Sequence, residues 1–181
     1  DQFPGLTVDR FENILVTQVL SLGMERRKDW VYRALVELLR EDGEQIDAIY
    51  ERNDVAIRTL EGLEQGKGFY QMEGLKTDLS GHVTITENRI KYDVDYMEGQ
   101  KTGFFLDQKY NRQAAAKLAR GRRVLDCFTH TGSFALHAGH YGAAEVTGVD
   151  ISDLACKQLL VACNLEDGAH GIRIASHQGQ Q

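Results

Sequence analysis

The sequence predicts an α/β fold, in which a small α+β module at residues 1–98 precedes the N-terminal half of a Rossmann-like domain at residues 99–181. Three observations predict it. Arg123-Val-Leu-Asp-Cys127 is a short apolar run that ends in a polar turn. Gly132 opens a helical segment behind that turn, and Glu145-Val-Thr-Gly-Val-Asp150 is a second apolar run closed by a carboxylate. Strand, loop, helix and strand in that order make half of a nucleotide-binding unit. Its ligand sits where the carboxyl ends of the strands meet the helix N-termini.

The elements follow in chain order. Residues 5–20 alternate loosely (Leu6, Val8, Phe11, Ile14, Val16, Val19) around Glu12-Asn13 and predict a hairpin. Over residues 24–40, Trp30, Val31, Ala34, Leu35, Leu38 and Leu39 recur at helical spacing, with Gly43 as the stop. Ala48-Ile-Tyr50 and Val55-Ala-Ile57 are short strand candidates on either side of a turn at Arg52-Asn-Asp54. The glycine-rich stretch 62–81 predicts loop, with one short strand near Phe69-Tyr-Gln71. His82–Thr86 and Ile90–Val94 make a second hairpin around Glu87-Asn-Arg89.

A linker at 99–106 leads to Asp107, the expected N-cap of a helix that runs to Arg120, with Gly121 just past its end. Strand 123–127, helix 133–141, strand 145–149, helix 153–164 and a strand at Ile172-Arg-Ile174 complete a βαβαβ order, which implies a parallel sheet.

Composition narrows the class. Hydrophobic residues at 42% and charged residues at 27% of 181 support a packed core. A net charge of −6 argues against binding a polyanion through bulk charge. No apolar run approaches the roughly 20 residues that span a bilayer, so no membrane partner is expected. Pro4 and Gly5 among polar first residues match no signal peptide. Cys127, Cys156 and Cys163 form no CxxC pair, and an odd count of reduced thiols suits a cytoplasmic protein. The absence of an initial Met and the patternless tail from Ser176 suggest a segment of something longer.

The loop from Asp126 to Gly132 carries one glycine where a dinucleotide-binding loop would carry three, which disfavours a nicotinamide oxidoreductase. A ligand with an amino-acid end, a ribose end and no phosphates needs side-chain acceptors there instead. S-adenosyl-L-methionine is such a ligand, with Asp126 facing its ammonium; the alternative is that Asp126 caps the following turn. Asp150, 24 residues on, stands close to the separation of about 20 expected of a ribose-binding carboxylate. Its alternative is to cap a helix starting near Asp153, in competition with Ser152.

Gln100-Lys-Thr-Gly-Phe-Phe-Leu-Asp-Gln-Lys-Tyr-Asn-Arg112, followed by Val124-Leu-Asp-Cys-Phe-Thr-His-Thr-Gly-Ser-Phe-Ala135, resembles the S-adenosylmethionine-dependent large-subunit rRNA (cytosine-C5) methyltransferase family. Phe3–Phe11, Ile49–Asp54 and Glu61–Gln65 extend the likeness to about residues 3–164. The resemblance implies a class I methyltransferase domain and rRNA, or another structured RNA, as partner. It implies that Asp126, Phe128, Thr131 and Gly132 form the methionine-side loop, and that Asp150 and Ile151 hold ribose and adenine. Phe104, Phe105, Asp107 and Gln108 would close over the cofactor. Lys101 and Arg112 would bring positive charge to its carboxylate or to a substrate phosphate. A plainer role for Phe104-Phe105-Leu106 is a core plug, which suits Leu106 best.

The chain departs from the family in ways that matter. Cytosine C5 chemistry needs a cysteine thiolate that adds to C6 of the base. The family's nucleophile and its proline-containing loop lie downstream of residue 181, and Pro4 is the only proline here. Cys127 is expected to point into the sheet or toward helix packing, and Cys156 and Cys163 to face the core, so no catalytic residue is expected in this chain. A non-catalytic cofactor-binding remnant is therefore the alternative reading. The first Rossmann strand would lack its neighbour, and the open edge would be covered by further chain or by a second copy in a homodimer. His130, His137 and His140 lack further ligands for a metal and are expected at the surface or in loops. Lys109, Arg112, Lys117, Arg120, Arg122 and Arg123 give the linker helix and its exit a basic character that could meet RNA phosphates.

Overall fold

A computed structural model describes residues 3–152 and the backbone of the strand Ile172–Ser176. The chain divides into two compact units: residues 1–83 with 94–104, and residues 84–93 with 105–181.

In the first unit β1 (Leu6–Phe11) and β2 (Ile14–Val19) form an antiparallel hairpin through the turn at Glu12, whose φ is +53°. A short helix α1 (Leu22–Glu25) is capped by the Ser21 hydroxyl. Helix α2 (Lys28–Glu41) then crosses over to β3 (Ala48–Asn53), parallel to β2, and β4 (Gly66–Phe69) pairs antiparallel with β3. The sheet order is β1-β2-β3-β4. Tyr32 and Val36 bury the inner stripe of α2 against Leu15, Val19 and Ile49, and Val31, Leu35 and Leu39 flank it. Trp30 and Leu38, expected in that stripe, are 68% and 59% exposed, because they fall on the helix's outer side.

Two local expectations are corrected. Arg52 and Asn53 continue β3 instead of turning, and Ala56–Glu61 is a 3-10 turn rather than a strand. Arg52 is buried and donates to the carbonyls of Tyr96 and Gly99 and to Asp54, so a tertiary partnership overrides its turn-like neighbours. The short strand in the glycine-rich stretch begins at Gly66 and ends at Phe69.

Strands β5 (His82–Glu87) and β6 (Ile90–Asp95) form the second hairpin, and its tip, residues 84–93, belongs to the second unit. There a 3-10 turn, Leu106–Gln108, leads into α3 (Lys109–Ala119). Asp107 is inside that turn and caps nothing; Gln108 takes the cap position without a side-chain bond. Leu106 is 36% exposed and so not a plug, whereas Phe104, in the first unit, is 4% exposed. Gly121 (φ +69°) reverses the chain after α3 and donates to the Gly142 carbonyl at 2.8 Å.

Strands β7 (Arg123–Cys127), β8 (Glu145–Asp150) and β9 (Ile172–Ser176) form a parallel sheet in that order, with Asp126 beside Gly148 and Cys127 beside Val149. Helix α4 (Ser133–His140) connects β7 to β8. Ala119, Ala135, Ala138 and Val146 form a buried cluster here, small side chains that let helix and sheet approach closely. Val124 packs on this core, so the alternation of the strand turns Leu125 and Cys127 to the other face. Both are exposed, so Cys127 is enclosed neither by the sheet nor by helix packing, contrary to expectation. The expected helix 153–164 with Cys156 and Cys163, and the tail 177–181, lie outside the described residues. Among the described residues no helix is long and apolar enough to cross a membrane.

Candidate cofactor site

The loop from β7 to α4 is built by its two carboxylates. Asp126, at the end of β7, accepts from the Thr129 hydroxyl at 2.6 Å and from the Ala135 amide at 3.0 Å, both on Oδ2. One oxygen thus closes the turn and satisfies an orphan donor in the first turn of α4. Capping, one of the two roles open to Asp126, is what that oxygen performs. Asp150, at the end of β8, accepts from the His130 amide at 2.9 Å on Oδ2 and from the Ser152 amide at 2.9 Å on Oδ1. The Thr129 amide donates to the Val149 carbonyl at 3.0 Å. The loop is therefore tied across the carboxyl ends of both strands.

Its backbone is unusual. Phe128, His130 and Gly132 have φ of +60°, +52° and +76°. Left-handed conformations at Phe and His cost of order 1–2 kcal/mol each and persist only where the surroundings impose them. This alternation lifts the Phe128 ring out to 88% exposure while burying Thr129 and Thr131 at 4%. Gly132 takes the cap position of α4, where its φ suits glycine. Ile151, just past Asp150, is 81% exposed, an apolar surface beside an acidic group.

Electrostatics follow from burial. Desolvation pushes the Asp126 carboxyl above its ordinary range; Thr129 and Ala135 oppose the rise and the charge of Asp150 adds to it. Desolvation holds the His130 ring below the usual histidine value, against the pull of Asp150.

The residues named from sequence divide into three groups. Asp126, Phe128, Thr131, Gly132, Asp150 and Ile151 come together on or beside the loop, and Phe105 meets it with its ring edge-on to His130, at 5.3 Å between centroids. Asp107 and Gln108 bond to each other, and Gln108 accepts from Asn111. Lys101, exposed with φ +54°, and Phe104 belong to the first unit. Arg112 needs correction as a charge held out to a ligand. It is 1% exposed and donates to both oxygens of Glu87 and to the Phe105 carbonyl, so it supports the site only through Phe105.

Two residues that carry the loop went unread in the sequence. Thr129 returns its hydroxyl to Asp126 three positions back, a spacing that could have signalled it. His130 acts through its amide and its φ, which no side-chain pattern announces. His137 also needs correction: it is fully buried rather than at the surface. Among the described residues no cluster of His, Cys, Asp and Glu could hold a metal ion.

A cavity of about 300 Å³ between α3, β7 and α4 also reaches Asp126, but Ala115, Ala116, Leu118, Val124, Phe134 and Ala138 make its walls mainly apolar. The polar loop, with two strand-end carboxylates and exposed Phe128 and Ile151, is the better match for a ligand with ammonium, ribose and adenine parts. The acceptors Asp150 retains beyond its two amides suit ribose hydroxyls.

Comparison with known proteins identifies the family and its cofactor. Residues 68–166 match the family described as S-adenosylmethionine-dependent methyltransferase. A ribosomal RNA large subunit methyltransferase I of Photobacterium profundum is 45% identical over 174 residues, 96% of this chain and 41% of that protein. The chain thus spans about two-fifths of the length of that relative. Among solved structures, a candidate methyltransferase complexed with SAH superposes with a TM-score of 0.78 at 22% identity, over 97% of this chain and 42% of the other. Trm5b from Pyrococcus abyssi gives 0.71 at 19% identity, over 97% of this chain and 48% of its own. Both likenesses establish the Rossmann-like α/β fold.

Proposed function

The chain belongs to the S-adenosylmethionine-dependent methyltransferase family, and from that premise we propose that it is the methyl-donor-binding part of an enzyme that methylates large-subunit rRNA, at cytosine C5. The observation that carries the donor half is the loop tied between Asp126 and Asp150 at the carboxyl ends of parallel strands. The rRNA substrate rests on the 45% identity to a methyltransferase of that name. C5 as the target atom rests on the resemblance of residues 100–112 and 124–135.

When bound, S-adenosylmethionine supplies an electrophilic methyl group. This chain's residues do the holding. Asp150 would accept from the ribose hydroxyls, and Ile151 would offer an apolar face to adenine. Asp126 would draw the ammonium through the oxygen not used by Thr129 and Ala135. Phe128 and Phe105 would wall the site from water. Cytosine C5 transfer also needs a thiolate, which we assign to none of Cys127, Cys156 and Cys163. We place it in the part of the relatives' length that this chain does not span.

Titration calorimetry with S-adenosylhomocysteine tests the donor site. Binding should be weakened about tenfold or more by Asp150→Ala, and NAD should not bind. Absence of S-adenosylhomocysteine binding by the folded chain would refute the reading.

A further inference from the structure

Helix α2 covers only part of its sheet face. Its first residue, Lys28, donates to Glu51, and beside that pair the face opens into a cavity. In the β3–β4 register Glu51 stands beside Gly68 and Asn53 beside Gly66, so these four positions share the α2 side with Ile49. A side chain begun at either glycine would meet no atom within 4 Å. The result is a cavity of about 280 Å³ with a floor of glycine backbone, walled by Lys28, Arg58, Gln65 and Phe69.

The polar groups around it are committed in a particular way. Asn53 is 5% exposed, and its Oδ1 accepts from the Val19 amide at 2.8 Å. Among the described residues its amide nitrogen has no hydrogen-bond partner, although it lines the cavity. That nitrogen opens onto the cavity, where its two donors are available to a ligand. The Glu51 carboxylate accepts from Lys28 and Tyr32 and keeps acceptor capacity beside Asn53. The cations nearby are already matched: Lys28 and Arg58 with Glu25, and Lys67 with Glu98. The cavity therefore suits an uncharged ring better than a phosphate.

We propose that this cavity, formed by Glu51, Asn53, Gly66 and Gly68, binds an unpaired nucleobase of the RNA substrate, flat on the glycine floor with its hydrogen-bonding edge toward Asn53 and Glu51. The inference rests on the RNA reading above. Bare backbone lets a ring approach closely, and a donor beside an acceptor reads the edge that an unpaired base leaves open. Nothing in the cavity would accept a base still paired in a duplex.

Two variants of the chain test it. Gly68→Val fills the cavity at a strand position with room for a β-branched side chain, so its melting temperature should hold or rise. Asn53→Asp keeps the oxygen that accepts from Val19 and removes the idle donors. Each should weaken binding of short single-stranded RNA, read by fluorescence anisotropy, about tenfold, roughly one hydrogen bond or less. In the native protein the Gly66 and Gly68 amide resonances should shift on adding that RNA and not on adding duplex RNA. If the native chain binds RNA and both variants bind it equally, the cavity is refuted and the RNA reading survives. If the native chain binds S-adenosylhomocysteine and no RNA, the RNA reading falls and takes the cavity with it. If free nucleoside monophosphates bind there as tightly as RNA, the cavity serves a small metabolite and the proposal is overturned.

Discussion

Arg112 donates from Nε and Nη2 to the two carboxylate oxygens of Glu87 at 2.7 and 2.8 Å, in a pair whose members are 1% and 5% exposed. This fork joins α3 to the tip of the β5–β6 hairpin, and the same guanidinium holds the Phe105 carbonyl at 3.0 Å. Breaking a buried pair strands the remaining charge, which typically costs about 3–5 kcal/mol. Arg112→Met and Glu87→Leu should each lose that much in urea unfolding. The double variant should recover most of it, because it strands no charge. Arg112→Met should also weaken S-adenosylhomocysteine binding, through the freed Phe105.

His137 makes the second unit sensitive to acid. Its Nδ1 lies 2.8 Å from the Ser133 carbonyl, which can only accept, so Nδ1 carries the proton and Nε2 accepts from the Asn88 amide at 3.0 Å. Burial holds the ring's pKa below its ordinary value of 6.5, as it does for His130. Below pH 6.5 the unfolded chain takes up protons that the folded chain refuses. Stability is therefore complete above that pH and falls as pH drops toward the depressed folded values, by at most about 1.4 kcal/mol per pH unit for each ring. Unfolding curves at stepped pH should show this slope, and His137→Gln should remove the part that belongs to His137.

Asp126 should separate folding from binding. Asp126→Ala removes the acceptor for Thr129 and Ala135 and should cost about 1–2 kcal/mol, the worth of a helix cap. Asp126→Asn keeps an acceptor oxygen and removes a charge whose folded pKa burial has raised. Above that raised pKa the ionised form costs stability, and the cost is relieved as pH falls through it. At neutral pH the Asn variant should thus be at least as stable as the native chain, yet bind S-adenosylhomocysteine more weakly. Equal affinity would confine Asp126 to its capping role.

Phe128→Gly tests the strained loop. Glycine relieves a left-handed φ worth of order 1 kcal/mol, and loses a similar amount to its freer unfolded chain. The ring is almost wholly exposed, so stability should change by less than about 0.5 kcal/mol. Affinity for S-adenosylhomocysteine should fall several-fold if the ring walls the site, a contrast that calorimetry and melting together would read.

Much of this was legible along the chain, because strong local patterns need no tertiary help. The hairpin Leu6–Val19 declared itself by alternation, and β7, α4 and β8 by apolar runs ending at Asp126, Gly132 and Asp150. What failed was decided by partners distant in sequence. Arg52 looked like a turn residue until Tyr96 and Gly99 supplied its acceptors. Arg112 and His137 looked available until Glu87, Asn88 and Tyr92 enclosed them. Asp107 looked like a cap until a 3-10 turn moved the helix start past it.

The sequence by itself determined that two strand-end carboxylates flank one loop, since period and spacing are local properties that the chain carries anywhere. Only the tertiary structure decided which charges remain free to meet a ligand. Burial and pairing set the availability of a charge, and both are made by residues far apart in the chain: Glu87 closes on Arg112 across 25 positions, while His130 lends its amide to Asp150 across 20.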